Sequence, residues 1–373
     1  MTKKTRFIIL LLCFVAFLLI TPNILLYSLG YRADFENMKI TPTGGIYVRV
    51  LPKEANVVID NKSENSTGLF SNAVFVQDLL PKEHIVLIKK DGYYDYQKEL
   101  PVTKNEVTKL ENVILFKKEI SFEVLSDRAQ FEILIEKKSD GFKMENNNLY
   151  AESGEVAEVK ALKEKPVPVI KNLVAYKTIG GNIMWVGLDG FLKNSETSGL
   201  NTEILSQIPL KIDKKNIYSI INFSEFIFLK ENNNLLLFDG EKKYFKDFYG
   251  PVKEVEISPN ANKMLMCSDD KVTLYDKEKD KIAALFYGNL AEKIRSCSFI
   301  NNDYIVFIMG EKIMISETDS RGNVNTVSLP SAIKMTNGEN IRIVAPEIFW
   351  SNQDKKLYIL MGDSLLLSEK LIP

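Results

Sequence analysis

From residue 118 onward the chain has almost no helical periodicity; short apolar runs recur between polar turns, and that pattern confines this part to an all-β architecture. Leu173-Val-Ala-Tyr-Lys is followed by Asn182-Ile-Met-Trp-Val and a turn at Asp189-Gly190. Phe226-Ile-Phe-Leu-Lys leads through Asn232-Asn-Asn to Leu235-Leu-Leu-Phe and Asp239-Gly240. Lys263-Met-Leu-Met-Cys precedes Val272-Thr-Leu-Tyr-Asp276, Tyr304-Ile-Val-Phe-Ile precedes Lys312-Ile-Met-Ile-Ser, and Lys356-Leu-Tyr-Ile-Leu precedes Ser364-Leu-Leu-Leu-Ser. Each unit reads as three strands separated by turns, the third ending near Asp or Ser, and then a polar fourth strand. The third-strand turns fall at Asp189, Asp239, Asp276, Asp319 and Ser368. Units of about 40–50 residues with four strands are the signature of propeller blades. Five repeats stand out and a sixth, degenerate one spans Ile120 to Val169, so residues 118–373 predict a β-propeller of five to seven blades. An irregular stack of β-sandwiches is the competing arrangement.

A second, smaller β unit precedes it at residues 44–117. In Gly45-Ile-Tyr-Val-Arg-Val-Leu-Pro-Lys-Glu-Ala-Asn-Val-Val-Ile-Asp60, Ile46, Val48 and Val50 alternate with Tyr47, Arg49 and Leu51, and Ala55, Val57 and Ile59 alternate again. Period two marks strands with one buried face. Val74 and Val76 lead into Leu79-Leu-Pro81, Ile85-Val-Leu-Ile-Lys89 ends at the turn pair Asp91-Gly92, and Tyr93 to Leu100 and Val113 to Phe116 supply two further strands of a small antiparallel unit. Gly92 is expected at positive φ.

These residues resemble a PEGA domain, a small β-sandwich module of envelope proteins. The family pattern is matched by Pro52-Lys-Glu-Ala55, Val57-Val-Ile-Asp60-Asn61, Thr67-Gly68, Leu79-Leu-Pro81-Lys-Glu-His84 and Lys89-Lys-Asp-Gly92-Tyr93. Glu54, Asn61 and Lys82 stand where the family has glycine, and Gly68 where it has proline. Asn tolerates positive φ, whereas Glu and Lys resist it. Ile257-Ser-Pro-Asn260, further on, resembles the Ser-Pro-Asp-Gly turn of WD-like and Tol-type propellers. The order of parts resembles that of membrane-anchored bacterial PEGA proteins, which implies an address and no chemistry.

Ahead of the module no charge falls between Phe7 and Tyr31, while Lys3, Lys4 and Arg6 precede the run. Such a run is long enough to cross a hydrocarbon core of about 30 Å. The charge asymmetry predicts residues 1–6 as a cytoplasmic tail, 7–30 as a transmembrane signal-anchor and 31–43 as a short polar connector, with the bulk extracytoplasmic. A cleaved signal peptide is the alternative, with Ser28 and Gly30 as small residues at suitable spacing, although the run exceeds the usual apolar region of about 7–15 residues. Leu12 before Cys13 speaks against a lipoprotein signal, and the length of the run against a buried globular helix.

The chain as a whole is 45% hydrophobic and 26% charged with a formal net charge of −1, which offers no basic excess for nucleic acid. Of three cysteines, Cys13 lies in the apolar run; Cys267 and Cys297 read as two buried free thiols, with a disulfide between them as the alternative. His84 is the single histidine and reads as structural. No Cys-x-x-Cys, glycine-rich phosphate loop or nucleophile motif occurs; Gly180-Gly181 reads as a hairpin turn and Asp269-Asp270 as a solvated one. Residues 160–168, rich in Lys, Glu and Pro, read as an inter-blade loop. No catalytic, cofactor-binding or metal residue is nominated, and no cofactor is expected. The expected function is a membrane-anchored, non-enzymatic envelope protein whose propeller contacts protein or glycan. The alternative is an extracytoplasmic carbohydrate-active enzyme with carboxylates converging in the propeller channel.

Overall fold

The computed structural model describes residues 3–68, 71–126, 132, 141–151, 167–289, 291–336 and 338–372. The apolar run forms helix α1 (Lys3–Ser28), which contains Pro22 and is exposed along its length. At about 1.5 Å per residue it is long enough to span a bilayer. What the sequence offers as a polar connector is folded: β1 (Tyr31–Asp34) and β2 (Lys39–Pro42) pair as an antiparallel hairpin. Arg32 ties that hairpin to its neighbours, with its guanidinium 3.5 Å above the Tyr27 ring and in an ion pair with Asp78 at 2.7 Å.

The module is a two-sheet sandwich. Strands β3 (Gly44–Leu51), β4 (Asn56–Ile59), β5 (Ser63–Ser66), β6 (Ala73–Leu79), β7 (Glu83–Lys89), β8 (Tyr96–Pro101) and β9 (Val107–Ile114) assemble in the orders β6-β3-β9 and β5-β4-β7-β8. The alternating residues Ile46, Val48, Val50, Val57, Ile59, Val86, Ile88 and Leu100 meet in one core. Two expectations change. The unit is not wholly antiparallel, because β3 and β9 run parallel. The last strand is Val107–Ile114, earlier than Val113 to Phe116, because its outward positions Lys109, Glu111 and Asn112 mask the pattern. At two of the three positions where the family has glycine the backbone does take positive φ, +60° at Glu54 and +56° at Asn61. Gly92 lies at φ +80°.

The larger domain is a β-propeller. After β10 (Ser121–Ser126), the strands β11 (Phe142–Glu145), β12 (Asn148–Ala151) and β13 (Ile170–Lys171) form one three-stranded sheet. Four-stranded antiparallel blades follow in strict chain order. The first is β14 (Leu173–Ile179), β15 (Asn182–Gly187), β16 (Leu192–Glu196) and β17 (Glu203–Ile204). The next is β18 (Tyr218–Phe223), β19 (Phe226–Glu231), β20 (Asn234–Asp239) and β21 (Tyr244–Tyr249). Then come β22 (Glu254–Ile257), β23 (Lys263–Cys267), β24 (Lys271–Asp276) and β25 (Lys281–Tyr287), and after them β26 (Ile294–Phe299), β27 (Tyr304–Met309), β28 (Lys312–Glu317) and β29 (Thr326–Ser328). A hairpin of β30 (Ala332–Met335) and β31 (Asn340–Arg342) precedes the last blade, β32 (Glu347–Ser351), β33 (Lys356–Met361) and β34 (Ser364–Ser368).

The cores lie between blades, which is why the middle strands read as unbroken apolar runs. Met264 and Met266 of β23 face Phe223 and Phe228 of the preceding blade, whereas Leu265 and Cys267 face Phe299 and Phe307 of the following one. On β27, Ile305 and Phe307 point back while Val306 points forward to Leu357 and Ile359. Period two therefore assigns each residue to one of two inter-blade cores.

Closure corrects the expected sixth repeat. Ser121–Ser126 does not begin a blade of its own; β10 pairs antiparallel with β34, Phe122 opposite Ser368, and supplies the fourth strand of the last blade. The Asp189 turn is also out of phase: it joins β15 to β16, while Asp239 and Asp276 end third strands. The cysteine expectation is overturned, because Cys267 and Cys297 are bonded and staple β23 to β26 of the next blade. The predicted inter-blade loop at 160–168 lies outside the described residues except for Val167 and Pro168.

Candidate functional site

The module docks edge-on against the blade of β26–β29, and a cleft opens beside the contact. Strand β8 alternates strictly, so Tyr96, Lys98 and Leu100 all point inward. Leu100 joins the module core, but Lys98 reaches the propeller: its Nζ donates to Glu317 Oε1 at 2.7 Å and to the Asp319 carbonyl at 2.6 Å. The Tyr96 hydroxyl donates to Glu317 Oε2 at 2.7 Å, and the Asn325 N–H donates to Oε1 at 2.6 Å. Both members of the ion pair are out of water. Burial pushes the Glu317 carboxyl above its ordinary value even though Lys98 pulls it down. Burial likewise raises the Tyr96 phenol. At Asp319 burial acts upward too, but the Arg321 hydrogen bond and the Lys98 charge outweigh it and the carboxyl ends below its usual range.

The loop after β28 completes the joint. Asn323 works on β8 as a strand would, its Oδ1 accepting from the Glu99 N–H at 2.8 Å and its Nδ2 donating to the Gln97 carbonyl at 2.7 Å. Gly322 makes room for this approach: a Cβ there would sit 2.1 Å from the Glu99 carbonyl oxygen, and its φ is +54°. Arg321 grips Asp319 and reaches the Lys109 carbonyl at 2.9 Å. The Ile114 N–H donates to the Tyr304 hydroxyl at 2.9 Å.

The cleft has a volume of about 310 Å³ and is walled by Lys109 and Glu111 of β9, Asp276, Lys279 and Lys281 at the end of β24 and start of β25, and Asp303 and Arg321 from the docking blade. Several of these charges are already engaged. Lys263, at its floor, donates to the Asn302 carbonyl at 2.7 Å and Thr318 Oγ1 at 2.8 Å, and Lys279 pairs with Asp276 at 3.2 Å. Among the described residues Lys109 and Lys281 form no ion pair. The arrangement suits recognition of a polar, anion-bearing surface.

The enzymatic alternative needs free carboxylates, and the following ones are engaged in structure. Glu254, on the inner strand β22, accepts from the backbone N–H groups of Ser296 and Cys297 at 3.2 and 2.9 Å, and Glu256 accepts from Ser298 Oγ at 3.0 Å. They tie neighbouring inner strands together. Asp269 is held by Lys253 and Lys293, and the Lys253 hydrogen bond lowers its carboxyl, while Asp270 accepts from Ser268. His84 is buried, its ring nitrogens 2.6 Å from Asp60 Oδ2 and 2.7 Å from the Leu80 carbonyl oxygen. Among the described residues no group of three or more His, Cys, Asp or Glu is placed to hold a metal ion. Sequence reasoning missed Lys98, Glu317 and Gly322. The signal for one of them was present: a lysine in the inward phase of an otherwise apolar alternation.

The fold defines a PEGA module joined to a β-propeller behind an N-terminal apolar helix. Residues 43–115 match the PEGA domain family. No curated protein matches the sequence. Similar solved structures include the extracellular domain of a putative hybrid two component system, BT4673, from B. thetaiotaomicron, at 12% identity and TM-score 0.41 over 76% of this chain and 36% of that one. BamB from Moraxella catarrhalis matches at 9% identity and TM-score 0.32, over 77% of this chain and 81% of that one. YCF48 from Cyanidioschyzon merolae matches at 11% identity and TM-score 0.35, over 87% and 98%. The chain thus spans about a third of the length of the BT4673 structure.

Proposed function

We propose that this protein is a membrane-tethered, extracytoplasmic binding or scaffolding protein, and that it acts without catalysis. In this reading residues 1–6 stay in the cytoplasm, α1 spans the membrane as a retained anchor, the module of residues 44–117 is a rigid stand-off, and the propeller of residues 118–373 meets an envelope protein or glycan. The observation that carries it is the buried Lys98–Glu317 joint, which makes module and propeller one body and the charged cleft a composite of both. The inter-blade disulfide supports an oxidising location. Lys109 and Lys281 are the groups left to receive an anionic partner.

The test has two arms. Protease added to spheroplasts is expected to digest the portion beyond Arg32; protection of that portion overturns the orientation. Photo-crosslinking from the cleft of full-length protein in intact envelopes is expected to give an adduct that Lys109→Glu with Lys281→Glu abolishes. Cleavage of an envelope polysaccharide by the purified protein would replace the binding reading with the enzymatic one.

A further inference from the structure

The hairpin after α1 is amphipathic in the reverse sense. Its register pairs Arg32 with Thr41 and Asp34 with Lys39 on one face, and Tyr31 with Pro42 and Ala33 with Ile40 on the other. Soluble hairpins bury the apolar face and leave the polar one in water. Here three of the four residues of the polar face turn inward: Asp34 is 6% exposed, Thr41 is 2% exposed, and Arg32 is pinned between the Tyr27 ring and Asp78, while Lys39 stays exposed. On the apolar face Tyr31 and Pro42 are half-buried, and Ala33 and Ile40 are left outside. Ile40 is 56% exposed, and Phe35 and Met38, on the connecting turn, are 82% and 87% exposed.

Neighbouring apolar side chains left uncovered on a fixed hairpin mark a contact with apolar surroundings. Its position supplies them. Only Leu29 and Gly30 separate the hairpin from the last residue of α1, and its base is fastened to the helix end by the Thr43 N–H and hydroxyl, both donating to the Gly30 carbonyl at 2.9 and 2.7 Å. Its tip is fastened to the module by a Glu36–Lys82 ion pair at 2.9 Å. We infer that the hairpin of residues 31–42 is a second membrane contact, lying in the headgroup region with Phe35, Met38 and Ile40 dipped toward the acyl chains of the bilayer that α1 crosses. Tyr27 at the end of α1 and Tyr31 at the start of the hairpin then lie at the depth where aromatic side chains concentrate. Interfacial amphipathic helices bury their apolar face about 5–10 Å into the headgroup and acyl boundary, and the same depth is expected for these side chains. Two attachments hold the module, and through Lys98 the propeller, at a set orientation above the membrane. The inference rests on the reading that α1 is retained in the bilayer.

The experiment uses full-length protein carrying Cys13→Ser, with the Cys267–Cys297 bond intact, and one added cysteine bearing a water-sensitive NBD fluorophore. Phe35→Cys and Met38→Cys remove side chains that the fold does not cover. In proteoliposomes whose lipids carry a nitroxide high on the acyl chain, both labels are expected to lose most of their emission. A label at Leu18→Cys, inside α1, is expected to be quenched by a deep nitroxide, and one at Glu241→Cys, on an exposed blade turn, to be untouched by either. Quenching at position 18 without quenching at 35 and 38 overturns the hairpin contact while leaving the anchor. No quenching at 18 overturns the anchor and the hairpin contact with it. Labels at 35 and 38 that are shielded from water yet unquenched by lipid identify a second copy or another protein as the occupant, and equally overturn it.

Discussion

Lys98 and Glu317, 219 residues apart in the chain, form a 2.7 Å ion pair from which water is excluded, and this pair joins the module to the propeller. Breaking a buried pair from one side leaves a charge with no partner, at a cost of about 3–5 kcal/mol, whereas replacing both members with apolar residues of similar volume is close to neutral. Lys98→Met is therefore expected to lower the midpoint of chemical denaturation sharply, and Lys98→Met with Glu317→Leu to restore most of it. A double variant as unstable as the single one would show that Tyr96 and Asn325, not the charges, hold the joint.

The same variant predicts a pH dependence. Burial already raises the Glu317 carboxyl, and removing Lys98 removes the main opposing influence. A carboxyl whose pKa is higher folded than unfolded contributes stability that is present below the unfolded value and lost as pH rises through the folded one. Lys98→Met is expected to be most stable near the ordinary carboxylate range and to weaken toward neutrality. Denaturation midpoints across that range check the sign.

Gly322 permits the backbone contact with Glu99, so Gly322→Ala is expected to separate the loop from β8. The positive φ adds about 1–2 kcal/mol for any L side chain. Hydrogen exchange is expected to rise on residues 96–99 and 320–325 and to stay unchanged in the blade of β18–β21. Exchange that rises everywhere would point to loss of the whole propeller instead.

The disulfide closes a sequence separation of 30 residues between adjacent blades. Loop-closure arguments assign such a link about 3–4 kcal/mol. Cys267→Ala with Cys297→Ala is expected to lose that much, and mass measurement of the parent protein alkylated in denaturant without reductant is expected to find only Cys13 modified. Modification of all three cysteines would return the free-thiol reading.

Glu54 sits at φ +60° where the family has glycine, so Glu54→Gly is expected to stabilise the protein by up to about 1 kcal/mol, the relief of strain exceeding glycine's entropic cost. Lys82→Gly is the contrast: its φ is not positive and it loses the Glu36 ion pair, so it is expected to destabilise. Thermal denaturation of the two variants decides between them.

Much of the architecture was legible because alternation is local. Ile46, Val48 and Val50 announce a half-buried strand, and the unbroken run Tyr304–Met309 announces one buried on both faces. The Asn-rich turn at Asn232 was legible between its flanking apolar runs, and that residue takes positive φ there. Phase errors arose where two short apolar runs look alike: nothing near Asp189 distinguishes a second strand from a third.

By itself, then, the order of residues determined the strands, their faces, the turns and the apolar helix, because each depends on neighbours a few positions away. Tertiary structure alone decided that Ser121–Ser126 pairs with Ser364–Ser368, that Cys267 meets Cys297, and that Lys98 finds Glu317. Period two says that Lys98 points inward; it does not say what waits there. Partners brought together across blades, or between module and propeller, depend on how whole sheets stack. The hairpin of residues 31–42 falls on the tertiary side of that division: the sequence reads there as a polar connector, and only pairing and packing of its polar face leave Phe35, Met38 and Ile40 facing out.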